Sequence, residues 1–312
     1  MKPAKAILAA VSLTCLYVLV LVWADSRNAV FSQLPRVAAA LPALMLLSFI
    51  SYAIRYARWH WLLRRASSPA PVGLGFLAYL SGFAFTATPG KVGELVRIRY
   101  FQPLGVHPAR VLAAFVFERA FDLIAITLIA ALAIQDRRLF LLLLAFVSCV
   151  LAAVAAMALR PQLLGRLVIV LRRRGFHRVV RLTKTLRDGL SGCRVWLTPL
   201  DVFLALGYGL LAWGLAALAF VGLLLQLGIH LPLGTALSIY PTAMLAGAAS
   251  MLPAGIGTTE VTIVALLSLN SVPVGIATLA AVGIRFASLW FAVACGFAAL
   301  GMLEYRKRSD RI

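Results

Sequence analysis

The chain has 312 residues, of which 62% are hydrophobic, and its formal net charge is +20. Ordinary globular domains are about 45–50% apolar, and the excess here is concentrated in long runs that exclude a soluble globular protein. The longest run without Asp, Glu, Lys or Arg extends from Val202 to Thr259. Because one helix needs roughly 20 apolar residues to cross a bilayer, this run alone predicts two membrane spans.

The basic residues account for the net charge without a nucleic-acid partner. Most of them lie between apolar runs, which is the pattern of the positive-inside rule and of attraction to anionic lipid headgroups. The four cysteines and four histidines are scattered along the chain, so they indicate neither a disulfide framework nor a metal site. We expect membrane lipids as partners, no nucleic acid and no cofactor.

Apolar runs long enough to cross a bilayer recur along the whole chain. In chain order they cover about residues 6–24, 37–54, 108–134, 139–159, 200–227, 233–251 and 274–303. The first run resembles a cleaved signal peptide, but it is longer than the apolar core of such a peptide, which usually has about 7–15 residues. We therefore expect a retained helix. A shorter apolar segment at 257–271 adds an eighth predicted crossing.

One apolar segment, residues 72–88, is too short for a simple span. It is rich in Gly and Thr and stops at Pro89-Gly90, which favours a re-entrant or broken helix. A charged, amphipathic stretch follows at 91–107. The predicted fold class is an all-α polytopic membrane protein with about eight transmembrane helices plus one re-entrant or broken helix.

The second predicted span ends in a basic and aromatic tail, which we interpret as an anchor at the membrane–water interface. The tail contains Arg55, Arg58, Trp59, Trp61, Arg64 and Arg65. With the N-terminus in the cytoplasm, twenty basic residues lie at cytoplasmic ends, ten of them in segment 160–194, and only four lie in outside loops. The positive-inside rule then predicts cytoplasmic N- and C-termini.

Four carboxylates fall in or beside apolar segments, where a charge costs at least about 2.5–3.5 kcal/mol. They are Glu94, Glu118, Asp122 and Glu260. Such charges usually face the protein interior and serve a function there. On one helix, Glu118 and Asp122 share a face, and Arg119 is placed to pair with Asp122. Arg97 and Arg285 accompany the other two acids.

Gly and Pro residues precede the charges in both halves of the chain. The predicted broken-helix residues are Pro89, Gly90, Gly93, Pro253, Gly255 and Gly257. Breaking a helix frees backbone N–H groups, and guanidinium groups suit phosphate. This combination predicts a polar pocket at membrane depth that suits an anionic headgroup. The predicted substrate-binding residues are Glu94, Arg97, Glu118, Arg119, Asp122, Glu260 and Arg285.

Two alternatives for these charges stay open. Glu94 and Glu260 would neutralise the arginines in an empty pocket, or they would contact a cationic headgroup. Alternatively, the charged residues form internal salt bridges whose only role is to lock helices together.

The two charged segments predict a two-fold internal repeat. The separation between Glu94 and Arg119 in the sequence equals that between Glu260 and Arg285, and the two sets are offset by about half the chain. Matching Gly/Pro-interrupted segments are a sequence indicator of a transporter binding site. Within one domain, residues 1–312, the predicted parts are halves at about 37–159 and 200–303 and a basic cytoplasmic link at 160–194.

These motifs resemble the flippase-like family named after the transmembrane region of lysylphosphatidylglycerol synthase. The matching stretches are Pro-x-x-x-Gly-Glu-x-x-Arg at 89–97, Glu-Arg-x-x-Asp at 118–122, Pro-x-Gly-Ile-Gly-x-x-Glu at 253–260, and the late Arg285. Arg55 and Arg58 also resemble the early basic helix end of that family. The resemblance covers about residues 40–300 and implies lipid translocation between the leaflets of a bacterial plasma (inner) membrane.

The resemblance has limits that shape the expected function. Fused members carry a cytosolic aminoacyl-transferase domain, whereas here only a short tail follows the last predicted span, so we expect a stand-alone member without aminoacyl transfer. Stand-alone members have been linked to hopanoids and polyprenol-linked sugars, and the choice among these lipids and phospholipids stays open. Envelope-biosynthesis enzymes are partners that the family implies. No oligomeric state is predicted.

The leading hypothesis is a lipid flippase or transporter that is not an enzyme. The chain has no Gly-x-x-x-x-Gly-Lys-Ser/Thr loop, so we expect passive exchange or proton coupling through a buried Glu rather than ATP drive. One alternative is an integral membrane enzyme of lipid or glycan assembly. The other is a non-catalytic membrane scaffold that recruits a partner through segment 160–194.

Overall fold

The computed structural model describes residues 33–133 and 191–309, together with eight single positions between 138 and 156. The predicted span 6–24, nearly all of the predicted span 139–159 and most of the basic segment 160–194 lie outside the described residues. Every regular element within the described residues is helical, which confirms the predicted all-α class.

Nine α-helices make up most of the described chain. They are α1 (Leu34–Arg65), α2 (Val72–Ser81), α3 (Arg97–Phe101), α4 (Pro108–Ala130), α5 (Pro199–Gln226), α6 (Leu233–Ala249), α7 (Thr258–Leu269), α8 (Val274–Arg285) and α9 (Phe291–Ser309). A π-helical turn at Phe286–Trp290 joins α8 to α9. Short 3₁₀ helices occupy Gly82–Phe85, Pro89–Val96, Gln102–Leu104, Ala131–Ala133, Cys193–Trp196 and Pro253–Gly255.

Three helices of the described chain are long and apolar enough to cross a membrane: Leu34–Arg65, Pro199–Gln226 and the joined helix Val274–Ser309. The first has 32 residues, or about 48 Å at 1.5 Å per residue, so it exceeds the roughly 30 Å hydrocarbon core. It merges the predicted span at 37–54 and its basic tail into one helix. The predicted spans at 200–227 and 274–303 correspond to the other two.

The helices pack around two apolar clusters that share α1. The first half of α1 packs with α5, α6, α7 and α8 around buried side chains such as Phe220 and Leu223. The second half packs with α2, α4 and the 3₁₀ helix at 193–196 around Trp59 and Trp196. The Trp196 indole N–H donates to the Leu62 carbonyl over 2.8 Å. Because α1 belongs to both clusters, it fixes the position of the charged residues that lie along its second half.

Both predicted helix breaks are present, and their backbones are alike. In the first, Gly90 and Lys91 follow Pro89 with φ of 60° and 56°. In the second, Ala254 and Gly255 follow Pro253 with φ of 54° and 64°. Left-handed backbone ends a helix, because it cannot continue the right-handed hydrogen-bond pattern. The two turns also contact each other, so both breaks meet at one place in the fold.

Two glycines hold these turns closed by different means. Gly257 has φ of 87°, which a residue with a side chain adopts only with strain. Gly93 has an ordinary φ, but a Cβ there would meet the Phe85 carbonyl oxygen at 2.5 Å. Its N–H donates to Thr88 Oγ1 over 2.7 Å. Gly257 therefore contributes a positive φ at the end of the second turn, and Gly93 allows the close approach to Phe85 in the first.

Candidate functional site

A buried network of charges connects α1 and α4. Asp122 of α4 accepts hydrogen bonds from Arg55 over 2.9 Å and from Arg58 over 2.7 Å. Arg119 lies 3.2 Å from the same carboxylate. Arg55 and Arg58 are three residues apart and Glu118 and Asp122 are four apart, so each pair occupies one helix face. The two faces meet in the protein interior.

Glu118 extends this network toward the first helix break. Its Oε1 accepts a hydrogen bond of 2.6 Å from the Tyr79 hydroxyl and lies 3.3 Å from Arg58. Its Oε2 lies 3.3 Å from Arg119 and 3.5 Å from Arg97. A single buried carboxylate therefore joins side chains from four separate segments of the chain.

Arg97 and Glu94 form the part of the network that follows the first break. They pair at 3.0 Å, and the Thr86 hydroxyl donates to Glu94 over 2.8 Å. Arg97 Nε donates to the Tyr79 carbonyl over 2.8 Å, and its guanidinium lies 4.0 Å from the centroid of the Tyr79 ring. Gly82 leaves room for Arg97, because a Cβ there would overlap the guanidinium.

The second break is held by one ion pair. Arg285 Nε donates to Glu260 Oε1 over 2.6 Å, and Arg285 also donates to the Ala254 carbonyl over 2.8 Å. The other Glu260 oxygen accepts the Gly257 N–H over 2.7 Å, at the start of α7. Glu260 thus caps a helix N-terminus while Arg285 ties the left-handed turn to α8.

Two adjoining cavities lie between the charged segments. The smaller has a volume of about 90 Å³ and is lined by residues of both halves, including Glu94, Arg119 and Arg285. The larger, of about 270 Å³, is lined by Asp122, Gly90 and Gly255 as well as apolar side chains. Lys91, Arg119, Trp213, Met244 and Ala254 line both cavities. Arg97, Glu118 and Glu260 line neither and instead support the residues that do.

Positive charge exceeds negative charge around these cavities. The six cations are Arg55, Arg58, Lys91, Arg97, Arg119 and Arg285, and the four carboxylates are Glu94, Glu118, Asp122 and Glu260. Every cation except Lys91 has an ion-pair partner among the described residues. With all ten groups ionised, two positive charges are left without a matching carboxylate.

The structure corrects the interpretation of the α1 tail. Arg55 and Arg58 were expected to anchor α1 at the membrane–water interface, but they are only 8% and 1% exposed and bind Asp122 instead. They are therefore not loop charges, and the cytoplasmic count of twenty basic residues falls to eighteen. Arg65 does remain near the surface, where it contacts Asp201 at 3.1 Å.

Other residues of the site were not predicted as site residues. Tyr79 has no charge to attract notice, yet it touches both Glu118 and Arg97. Trp213 lies in a long apolar run, and its ring lies 4.4 Å from the Arg55 guanidinium. For Arg55 and Arg58 a signal did exist, since a spacing of three residues places both on one helix face, as a spacing of four does for Glu118 and Asp122.

The predicted repeat is matched in the backbone but not in the ion pairs. Both breaks consist of Pro followed by two left-handed residues. Glu260 pairs with Arg285, whereas Glu94 pairs with Arg97 and Arg119 pairs with Glu118 and Asp122. The shared spacing in sequence therefore does not correspond to a shared contact, and the repeat itself stays a prediction. Among the described residues, no group of three His, Cys, Asp or Glu side chains could hold a metal ion.

Long apolar helices, interrupted by two charged turns that meet at a buried network, define a multi-pass all-α membrane protein. The chain belongs to the family described as the lysylphosphatidylglycerol synthase TM region, whose model matches residues 7–296. This confirms the resemblance found in the motifs and relates the protein to lipid handling in a membrane. No curated protein matches the chain.

Proposed function

We propose that the protein is a lipid flippase or transporter that moves a lipid with an anionic headgroup between the leaflets of a bacterial plasma membrane. The headgroup binds in the smaller cavity. The observation that carries the proposal is Lys91, a cation that lines both cavities and has no ion-pair partner among the described residues. Both termini lie in the cytoplasm, and envelope-biosynthesis enzymes supply or consume the lipid.

The charge imbalance supports an anionic ligand. Holding uncompensated charge away from water is costly, and an anion in the cavity lowers that cost. The smaller cavity, at about 90 Å³, has room for several water molecules or one small anionic group, since one water needs about 10–15 Å³ of such volume. A phosphate group is the anion that a guanidinium and an ammonium bind well.

A second unpaired donor lies at the same place. Trp213 lines both cavities, and its buried indole N–H has no hydrogen-bond partner among the described residues. A buried N–H without an acceptor costs about 1–3 kcal/mol. The indole nitrogen has almost no exposed surface, so a phosphate oxygen would accept from it only after the ring turns toward the cavity, and Lys91 provides the charge.

The larger cavity supports a lipid rather than a free ion as the ligand. It adjoins the headgroup cavity and is lined by apolar side chains such as Leu123, Ile126 and Met251. A lipid would place its phosphate beside Lys91 and the start of its apolar part against these residues. This arrangement matches the membership of the chain in a family of lipid-handling membrane domains.

Transport is proposed rather than catalysis because the acids are already engaged. Glu94 is held by Arg97 and Thr86, and Asp122 is held by three arginines. A carboxylate fixed in this way is a poor proton donor or acceptor, because general acid–base catalysis needs a group that changes its protonation near the working pH. Its contacts instead keep the arginines in place around the cavity.

The test is transfer of phosphatidylglycerol with a fluorophore on one acyl chain in vesicles that contain the purified protein. We expect Lys91→Met to slow transfer about tenfold or more, since a charge-assisted hydrogen bond contributes about 1.5–3 kcal/mol. The matched control is Lys307→Met, because Lys307 is an exposed lysine on α9. Equal transfer by the wild type and Lys91→Met, or no transfer by the wild type, would contradict the proposal.

A further inference from the structure

The smaller cavity has a second group of polar side chains, which carry hydroxyls rather than charges. Ser51 and Tyr52 come from α1, Tyr240 comes from α6, and Ser288 comes from the π-helical turn. We call these four side chains the hydroxyl wall. The π-helical turn begins directly after Arg285, so Ser288 follows closely the arginine that holds the second break. Turns of this kind inside α-helices are frequent at functional sites.

Three of these hydroxyls donate hydrogen bonds to backbone carbonyls. Ser51 donates to the Ala212 carbonyl over 2.9 Å. Tyr52 donates to the Ser288 carbonyl over 2.6 Å. Ser288 Oγ donates to the Ile284 carbonyl over 2.7 Å.

The direction of the hydrogen bond made by the fourth hydroxyl, Tyr240, follows from that made by Ser288. Tyr240 and Ser288 Oγ lie 3.0 Å apart, and a hydroxyl has only one proton to donate. Because the Ser288 proton is used on Ile284, Tyr240 donates to Ser288. These four hydroxyls therefore have no free donor in this arrangement. Ser48, a further hydroxyl on the wall of the cavity, is hydrogen-bonded to Tyr52. The oxygens of the hydroxyl wall keep lone pairs that can accept hydrogen bonds.

Because the hydroxyl wall can only accept hydrogen bonds, it favours a ligand that donates them. A phosphodiester oxygen cannot donate, so it suits the cationic residues and not the hydroxyl wall. An ammonium group would donate, but it would add positive charge where two unmatched positive charges already lie. A hydroxyl group on the ligand donates without adding charge, so it fits both constraints.

We propose that the ligand of this cavity is a phosphodiester whose headgroup carries free hydroxyl groups, such as a glycerol or sugar headgroup, and that Tyr52 and Tyr240 select it. The inference rests on the proposed function for the phosphate position. It adds the specificity of the site: the cationic residues bind the phosphate, and the hydroxyl wall accepts hydrogen bonds from the polyol.

A pair of lipids with equal charge tests this selection. Phosphatidylglycerol and phosphatidylethanol are both singly charged phosphodiesters, but only the first has headgroup hydroxyls. Binding of each lipid to the full-length protein in detergent is measured by native mass spectrometry. We expect Tyr52→Phe and Tyr240→Phe each to weaken phosphatidylglycerol binding about three- to tenfold, the value of one neutral hydrogen bond, and to leave phosphatidylethanol binding unchanged.

Tyr56→Phe is the matched control. Tyr56 lies one helical turn from Tyr52, is similarly buried at 6% against 8%, and donates to the Val72 carbonyl over 2.8 Å. It lines neither cavity. Its substitution removes the same kind of hydrogen bond, so a loss of phosphatidylglycerol binding as large as that of Tyr52→Phe would overturn the inference. Melting temperatures of all three variants confirm that each one is folded.

The outcomes separate this inference from the proposed function. If the wild type binds both lipids equally and Lys91→Met weakens both, the hydroxyl selection is wrong while the anionic site stands. If neither lipid binds, both proposals are contradicted. Soluble glycerophosphoglycerol serves as the third ligand. Binding as tight as that of phosphatidylglycerol, and sensitive to Tyr240→Phe, would support the headgroup chemistry and contradict a lipid as the transported species.

Discussion

Replacing Asp122 with Asn should destabilise the protein more than replacing an equally buried acid at the edge of the fold. Asp122 accepts two short hydrogen bonds, from Arg55 and Arg58, and each charge-assisted bond contributes about 1.5–3 kcal/mol. Asn keeps one carbonyl acceptor but has no charge, so Arg55 loses its counter-ion and Arg58 and Arg119 keep only Glu118. Breaking a buried ion pair by removing one partner costs about 3–5 kcal/mol, and we expect a loss of stability in that range.

Asp201 provides the matched control for this substitution. Its side chain is also fully buried, but its partner Arg65 is 45% exposed, so water can solvate Arg65 after Asp201→Asn. The melting temperatures of the two variants in detergent, measured by circular dichroism, compare their stabilities directly. A melting temperature of Asp122→Asn equal to that of the wild type, or higher than that of Asp201→Asn, would refute the reasoning that Asp122 neutralises buried arginines.

Two further substitutions test how the breaks hold the site. Gly82→Ala should displace Arg97, because the added Cβ overlaps the guanidinium, and overpacking costs about 1–3 kcal/mol. Transfer should fall, whereas Gly73→Ala in the preceding helix α2 should have no effect because nothing lies within 4 Å of its Cβ position. Equal transfer rates for the two variants would contradict this. Arg285→Ala should abolish lipid transfer without loss of membrane insertion, because it removes the contacts to Glu260 and Ala254 that hold the second break. Arg64→Ala, at the exposed end of α1, is its control, and wild-type transfer by Arg285→Ala would show that this ion pair does not serve the site.

Local patterns were sufficient to predict the helices and their breaks. The predicted spans at 200–227 and 233–251 correspond to Pro199–Gln226 and Leu233–Ala249. Their starts are marked by Thr198, whose side chain caps α5, and by Pro232. Helix ends and breaks are set by residues within one turn of each other, so they can be predicted from short stretches of a single sequence.

The long-range contacts of the site could not be predicted in the same way. Arg55 and Arg58 reach Asp122 across 67 and 64 residues, and nothing near Asp122 in sequence indicates that partner. Basic residues beside Trp59 and Trp61 also match the pattern of an interface anchor, which led to the wrong interpretation. Equal spacing in sequence does not indicate a contact either, since Glu94 pairs with Arg97, three residues away, and not with Arg119.

Identification of the lipids that copurify with the protein tests the proposed anionic headgroup site most directly. The wild type and Lys91→Met would be purified in parallel, with Lys307→Met as the control, and their bound lipids quantified by mass spectrometry. We expect the wild type and Lys307→Met to retain an anionic phospholipid or glycolipid phosphate, and Lys91→Met to retain about one tenth as much or less, in line with one charge-assisted hydrogen bond. The same anionic lipid content in all three proteins would contradict the proposed headgroup site.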